Sequence, residues 1–397
     1  MSQELINRNA DLKRLRDEGY FVQIRGGLLL LREVPYVNQE RQVCYGTLIS
    51  TLTMAGEQTK RPDTHVVCFD GAFPCHADGS ALNQISNVTG NFDLGHGLVA
   101  KHKFSSKPAD GYSDYYHKMT TYATILCGPA ATLDPKISPR VFRIPDDDDE
   151  ESVFEYTETA SGRAGVEALS QRLSTDVLAI VGLGGSGSYV LDLVAKTPAK
   201  EIRLFDGDEF LQHNAFRTPG AASIEELREA PLKVDYLKGV YSQMHRKIVV
   251  HGEYLNADNI DLLDGVTFAI LCLDGGPAKQ LVMEKLEAID ATFIDIGLGL
   301  ELDGDSLGGI LRVTTSTPDQ RDHVRKRVSF ASQDDDGLYA SNIQIADLNA
   351  LNATLAVIKW KKLRGFYRDL EKEHHCTYTT DGNLLLNGDQ HASTSTA

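Results

Sequence analysis

The amino-acid sequence predicts the α/β class, with a mostly parallel sheet wound by crossover helices and a smaller α+β domain in front of it. Three observations lead there. Beyond residue 176, short apolar runs alternate with helix-like stretches, the pattern of parallel strands joined by helices. A glycine-rich turn joins the first of these runs to the first helix. Before residue 145 the pattern is one of paired strands around a turn, and at 397 residues the chain is long enough for two cores.

In chain order, residues 20–25 and 28–34 flank Gly26-Gly27, and two glycines between apolar runs predict a β-hairpin. Residues 114–126 have helical length, and Gly128-Pro129 is the punctuation expected after a helix. Six consecutive acids, Asp146 to Glu151, repel one another and resist packing, so the domain boundary is expected there. The expected division is an α+β domain over 1–145, an acidic linker over 146–156, the α/β domain over 157–380 and a flexible tail over 381–397.

Apolar runs at 177–181, 202–205, 248–250, 266–273 and 292–296 predict five strands, separated by helix-like stretches such as 224–244 and 279–289. Between 340 and 373, Ile345, Leu348, Leu351, Leu355, Ile358 and Leu363 recur mostly at steps of three and four, which predicts one or two helices covering the sheet.

Composition narrows the function. Forty Lys and Arg against 56 Asp and Glu give a net charge of −16, which argues against partners such as nucleic acid or an anionic membrane. The acidic run supplies −6 of this, leaving −10 elsewhere. The six cysteines form no C-x-x-C pair, so no structural zinc is expected, and a reducing, cytoplasmic setting fits them. The polar start and the lack of an 18-residue apolar run predict neither a secretion signal nor a membrane span.

The sharpest local signal is Gly182-Leu-Gly184-Gly185-Ser-Gly187, directly after a buried strand and directly before a helix. Glycine permits the tight turn, lets backbone N–H groups approach a phosphate and aims a helix N-terminus at it. Asp206 ends the next strand, where a carboxylate can accept ribose hydroxyls. Downstream come Asp208, then His213-Asn214-Ala-Phe-Arg217, Lys233 on an expected helix, and Asp274 at the end of the fourth strand. An amide, a guanidinium and an ammonium suit a triphosphate, and a carboxylate suits Mg²⁺, so the set reads as an ATP site and not an NAD site.

In this order of motifs the chain resembles the ThiF/MoeB-like adenylyltransferases, which include the ubiquitin-activating enzymes. The resemblance covers 157–365 and implies a Rossmann-like ThiF-type adenylation domain. It implies that Gly182, Gly184, Gly185 and Gly187 lie against the nucleotide, that Asp206 binds its ribose, that Asp208 belongs to the nucleotide-binding set, and that Asn214, Arg217 and Lys233 hold phosphates. Asp274 would hold Mg²⁺. Arg217, Lys233 and Asp274 would then be catalytic in adenylating the C-terminal carboxylate of a ubiquitin-like or sulfur-carrier protein, with a homodimer as the assembly and a conjugating enzyme as a further partner. The chain departs from the family in having Thr218-Pro219-Gly220 after the arginine, an insertion around 229–231, no C-x-x-C pairs, and Arg163 as the one counterpart of an arginine that reaches across a dimer.

A thioester step needs a cysteine beyond Asp274, and Cys376, after His374-His375, is the one available. Cys272 reads as core. His65, Cys68, Cys75 and His76 lie close together, but strand alternation separates His65 from Cys68, which favours packing over metal. The bases and aromatics of 102–116 read chiefly as surface and helix cap. The N-terminal half also resembles, more weakly, a domain fused to ThiF-type modules beside ubiquitin-like proteins in bacterial operons, which implies docking. Two alternatives explain part of this: a nucleotide-binding scaffold without catalysis, and an NAD-dependent oxidoreductase, which gives no reason for Asn214, Arg217 or Lys233.

Overall fold

The computed structural model describes residues 2–143, 152–156, 158–164, 166–328, 330 and 344–390. The chain divides into two units, Met1–Gln171 and Arg172–Ala397. The acidic run expected to mark the boundary lies outside the described residues. The division falls later because residues beyond the run pack into the first unit: Glu167 is buried, and the His96 N–H donates to Gln171 Oε1 at 2.5 Å.

In the first unit, β1 (Phe21–Arg25), β2 (Leu28–Val37), β3 (Val43–Thr51), β4 (Val66–Asp70), β5 (Ser86–Asp93) and β6 (Val99–Ser105) form an antiparallel sheet in the order β1-β2-β3-β4-β6-β5. The hairpin turn falls on Gly26 (φ +56°) and Gly27 (φ +75°), the left-handed pair a two-residue turn needs to match strand twist. Leu28 to Leu31 are all buried because both faces are covered. Leu29 and Leu31 meet Tyr115, Met119, Tyr122 and Leu126 of α1 (Tyr115–Leu133), while Leu28 and Leu30 meet Leu94, Leu98 and Ala100. The helix expected to stop at Gly128-Pro129 runs through them. Leu126 and Ala130, one turn apart, are both fully buried, and that burial outweighs the one hydrogen bond Pro129 cannot make.

The second unit is of the α/β class. Five parallel strands, β7 (Val177–Val181), β8 (Glu201–Phe205), β9 (Ile248–His251), β10 (Phe268–Leu271) and the start of β11 (Thr292–Asp303), lie in the order β9-β8-β7-β10-β11. One face carries α2 (Gly185–Val194), α3 (Lys233–Tyr241) and α5 (Ala346–Leu363), and the other carries α4 (Pro277–Ala288). Strand order reverses between β7 and β10, and the crevice beyond the carboxyl ends of strands at such a point is where α/β sheets bind ligands.

Three antiparallel strands extend this sheet: β12 (Ser306–Ser316), β13 (His375–Thr379) and β14 (Leu384–Gly388). The segment expected to be tail therefore forms, in 384–388, an edge strand hydrogen-bonded to β13. The helix expected over 224–244 is two, Ile224–Glu229 and α3, because Pro231 cannot donate and Ala230 takes a left-handed φ of +45°. One helix, α5, stands where one or two were expected. Among the described residues no helix is long and apolar enough to cross a membrane.

Candidate functional site

The crevice at the β7/β10 switch is built by the glycine turn. Gly182, at φ +88°, closes against β10 so tightly that a Cβ there would lie 2.8 Å from the Cys272 carbonyl oxygen. At Gly187 a Cβ would lie 1.9 Å from the Gly182 carbonyl oxygen, so the turn passes directly over the first turn of α2. Gly184 is the N-cap of α2, and no atom lies within 4 Å of where its Cβ would be. Space is therefore open beside the N-cap, at the end where the first N–H groups of a helix lack intrahelical partners.

Asp206, 8% exposed at the end of β8, ties the turn in place. Its Oδ2 accepts the Leu183 N–H at 2.6 Å and its Oδ1 accepts the Asp208 N–H at 2.9 Å. Lys233, 6% exposed on the first turn of α3, sits between the two acids, with Nζ 3.7 Å from Asp206 and 2.5 Å from Asp208. Tyr254, three residues beyond β9, donates its hydroxyl to the other oxygen of Asp208. Burial opposes the Asp208 charge, but the bonds from Lys233 and Tyr254, with Arg217 nearby, outweigh it and hold the carboxyl below its ordinary range. The same bond to Asp208 pushes the Tyr254 phenol up to about 12.

Asn214 is 1% exposed; its Oδ1 accepts the Leu211 N–H at 2.9 Å, and its Nδ2 has no partner among the described residues. Arg217 follows, its N–H bonded to the Asn214 carbonyl at 3.0 Å, and its buried Nε also lacks a partner among them. Burial pulls the Arg217 pKa down, while Asp274 and Asp208 push it back up in part. Asp274 is exposed, three residues past β10. The structure therefore joins the glycine turn, Asp206, Asp208 and Lys233 through Leu183 and the Lys233 ammonium, and sets Arg217 near Asp208 and Asp274, with Asn214 joined to Arg217 through the backbone.

Cys376 stands apart in character. It is half-buried on β13, paired with Val313 and Asn387 in the flanking strands. Burial, then Glu373, push its thiol up, so the thiolate needed for a thioester is disfavoured. His375, beside Cys376 in sequence, bonds Thr314 Oγ1 through Nδ1 at 3.1 Å and is pushed down to about 4, first by burial and then by Arg327, which leaves it a weak base. Burial likewise pushes the Cys272 thiol up. The side chain of Arg163 lies outside the described residues.

In the first unit, His65 bonds Ser105 Oγ at 3.0 Å and burial raises the Cys68 thiol. Among the described residues no cluster of three His, Cys, Asp or Glu side chains could hold a metal. In 102–116, Asp114 caps α1 by accepting the His117 N–H at 2.7 Å, and Tyr112 and Tyr115 are core. Sequence reasoning missed Tyr254, Ser186 and Asn349. The position of Tyr254 just past a strand end on the Asp206 side was the available signal. Ser186 and Asn349, hydrogen-bonded at 2.9 Å, are 163 residues apart and gave none.

Residues 10–159 match a family described as a domain of unknown function, DUF6791. No curated protein matches the chain. Among solved structures it is similar to PaaA, at 19% identity and a TM-score of 0.45 over 56% of this chain and 75% of that one. It is similar to E. coli MccB crystallised with ATP, at 15% identity and a TM-score of 0.46 over 70% and 82%. The E. coli tRNA N6-threonylcarbamoyladenosine dehydratase TcdA, in complex with ATP, matches at 17% identity and a TM-score of 0.39 over 52% and 92%.

Proposed function

We propose that the second unit binds Mg-ATP and transfers its adenylyl group to the C-terminal carboxylate of a ubiquitin-like or sulfur-carrier protein, releasing pyrophosphate. One observation carries the reading: Asn214 Nδ2 and Arg217 Nε are buried N–H donors without partners among the described residues, and Arg217 lies near Asp208, the acid that Lys233 binds. A buried unpaired donor costs roughly 1–3 kcal/mol, and anionic phosphate oxygens are the acceptors that would recover it.

In this reading the free N–H groups of α2 cradle the phosphates and Asp206 accepts ribose hydroxyls with its remaining lone pairs. Asn214, Arg217 and Lys233 hold and neutralise phosphate oxygens. Asp274 supplies the single carboxylate that Mg²⁺ bound mainly through phosphates requires; the ion would neutralise charge on the phosphate oxygens. A carboxylate oxygen of the acceptor attacks the α-phosphorus, an O–P bond forms, the bond from the α-phosphorus to the oxygen bridging to the β-phosphorus breaks, and pyrophosphate leaves with that electron pair. The acceptor is already ionised at neutral pH, so positioning and charge neutralisation suffice and no general base is needed. With the Cys376 thiol pushed up, the reaction ends at the acyl-adenylate on this chain. The first unit is then the docking domain for the acceptor or a conjugating enzyme, and a homodimer is the working assembly in the cytoplasm.

Calorimetry with Mg-ATP and with NAD⁺, followed by ATP–pyrophosphate exchange with candidate carrier proteins, tests the reading. Expected are Mg-ATP binding and exchange that appears with the true carrier. Tighter binding of NAD⁺ would favour the oxidoreductase, and ATP binding without exchange for every carrier would favour the scaffold.

A further inference from the structure

The first turn of α5 brings a residue to the glycine turn that no nucleotide motif contains. Asn349 is 1% exposed, and its Oδ1 accepts the Ser186 hydroxyl at 2.9 Å, which fixes the carboxamide over the start of α2. Its Nδ2 has no hydrogen-bond partner among the described residues. The amide lies flat on Gly185, where a Cβ would come within 2.1 Å of that nitrogen, so the absence of a side chain at Gly185 is what lets the amide reach the turn.

Among the described residues the buried donors Asn214 Nδ2, Arg217 Nε and Asn349 Nδ2 lack acceptors. The first two lie on the segment after β8, with Arg217 near Asp208 and Asp274, and the third lies on α5 against the start of α2. Buried polar groups in folded proteins are nearly always bonded, and a fully buried amide donor left open at a helix N-terminus is explained by an anion that accepts from it. We propose that Asn349 is a positioning residue for the nucleotide phosphates, donating from Nδ2 to a phosphate oxygen while Ser186 holds its other end. This rests on the ATP reading above and adds to it a donor from the far end of the sequence.

The test is calorimetric titration of the full chain with ATP and with adenosine, for wild type, Asn349→Asp and Asn349→Ser. Hydrogen bonds to charged groups are worth enough that both variants should bind ATP roughly ten- to a hundredfold more weakly, with adenosine affinity unchanged. Equal losses for ATP and adenosine would mean that Asn349 only supports the fold of the turn, and would overturn the inference. Wild-type affinity for ATP in both variants would overturn it as well. If Asn349→Asp does not fold, Asn349→Ser, which keeps a neutral side chain against Ser186, decides the matter by the same ATP-to-adenosine comparison. A wild-type chain that binds no ATP would remove the ATP reading itself and the inference with it, an outcome distinct from all the others.

Discussion

Replacing Lys118 by methionine should stabilise the first unit. Lys118 lies on α1, is fully buried, and its ammonium donates to Ser50 Oγ at 2.8 Å. Burial pushes its pKa from the ordinary 10.5 down to about 8. At about 1.4 kcal/mol per tenfold, that drop corresponds to a cost of roughly 3 kcal/mol for keeping the charge at pH 7. Removing the ammonium also removes the bond to Ser50, worth about 1 kcal/mol, although Ser50 keeps its bond to the Thr51 carbonyl at 3.0 Å. A net gain of roughly 2 kcal/mol for Lys118→Met is therefore expected at pH 7. The sign with pH follows from proton counting. Between pH 8 and 10.5 the unfolded chain still holds the proton that the native state has shed, so wild-type stability rises with pH through this window. The advantage of the variant should shrink accordingly. The chain has a single tryptophan, Trp360, and it lies in the second unit, so its fluorescence does not follow this unfolding. Pulse proteolysis in urea, reading cleavage within α1 at pH 7 and pH 10, does. A variant less stable than wild type at pH 7, or a difference that does not change between the two pH values, would refute the reasoning.

Arg217→Ala should lower carrier-dependent pyrophosphate exchange by roughly a hundredfold or more, since in the proposed reaction the guanidinium meets charge that develops on phosphate oxygens; unchanged exchange would remove Arg217 from the site. Gly187→Ala places a methyl 1.9 Å from the Gly182 carbonyl oxygen, so the turn must open, and ATP affinity measured by calorimetry should fall sharply while Trp360 fluorescence shows the unit still folded. Cys376→Ser should leave exchange intact, and intact-mass analysis with Mg-ATP and a carrier should show no adduct sensitive to reductant in either protein. Glu167, raised to about 6 chiefly by burial, contributes stability that is fully present below the ordinary 4.5 and lost as pH rises through about 6. Glu167→Gln should flatten that slope in thermal melts followed by circular dichroism.

Much of the second unit was legible because its information is local. The central strands β7 and β10 and the start of β11 are buried on both faces and read as short apolar runs, and the glycine turn, Asp206, Asn214 and Arg217 fall within 36 residues of one another. What escaped depends on distant partners. β12 carries Gly308 and Gly309 where a strand usually carries side chains, and becomes a strand because β11 and β13 pair with it on both sides. Leu384 to Leu386 read as tail because three successive apolar residues at an exposed edge fit no alternation, yet β13 holds them in register. Asn349 was invisible for the same reason, since its meaning comes from Ser186, 163 residues away.

The insertion around 229–231, which in sequence looks like damage to the motif, is what places Lys233. Pro231 stops the preceding helix, and Ala230 at φ +45° turns the chain back toward β8. Residues 231–233 then run antiparallel to 208–210: the Phe210 N–H bonds the Pro231 carbonyl at 2.7 Å, Glu209 pairs with Leu232, and the Lys233 N–H bonds the Asp208 carbonyl at 2.9 Å. Lys233 thereby becomes the first residue of α3, clamped by its backbone to the Asp-Gly-Asp loop that its ammonium also binds. An uninterrupted helix from Ile224 would keep those residues in its own hydrogen-bond ladder and deny the loop its strand-like partner. The helix break thus fixes the Lys233 ammonium between Asp206 and Asp208, whose carboxylates also hold the glycine turn and the loop after β8.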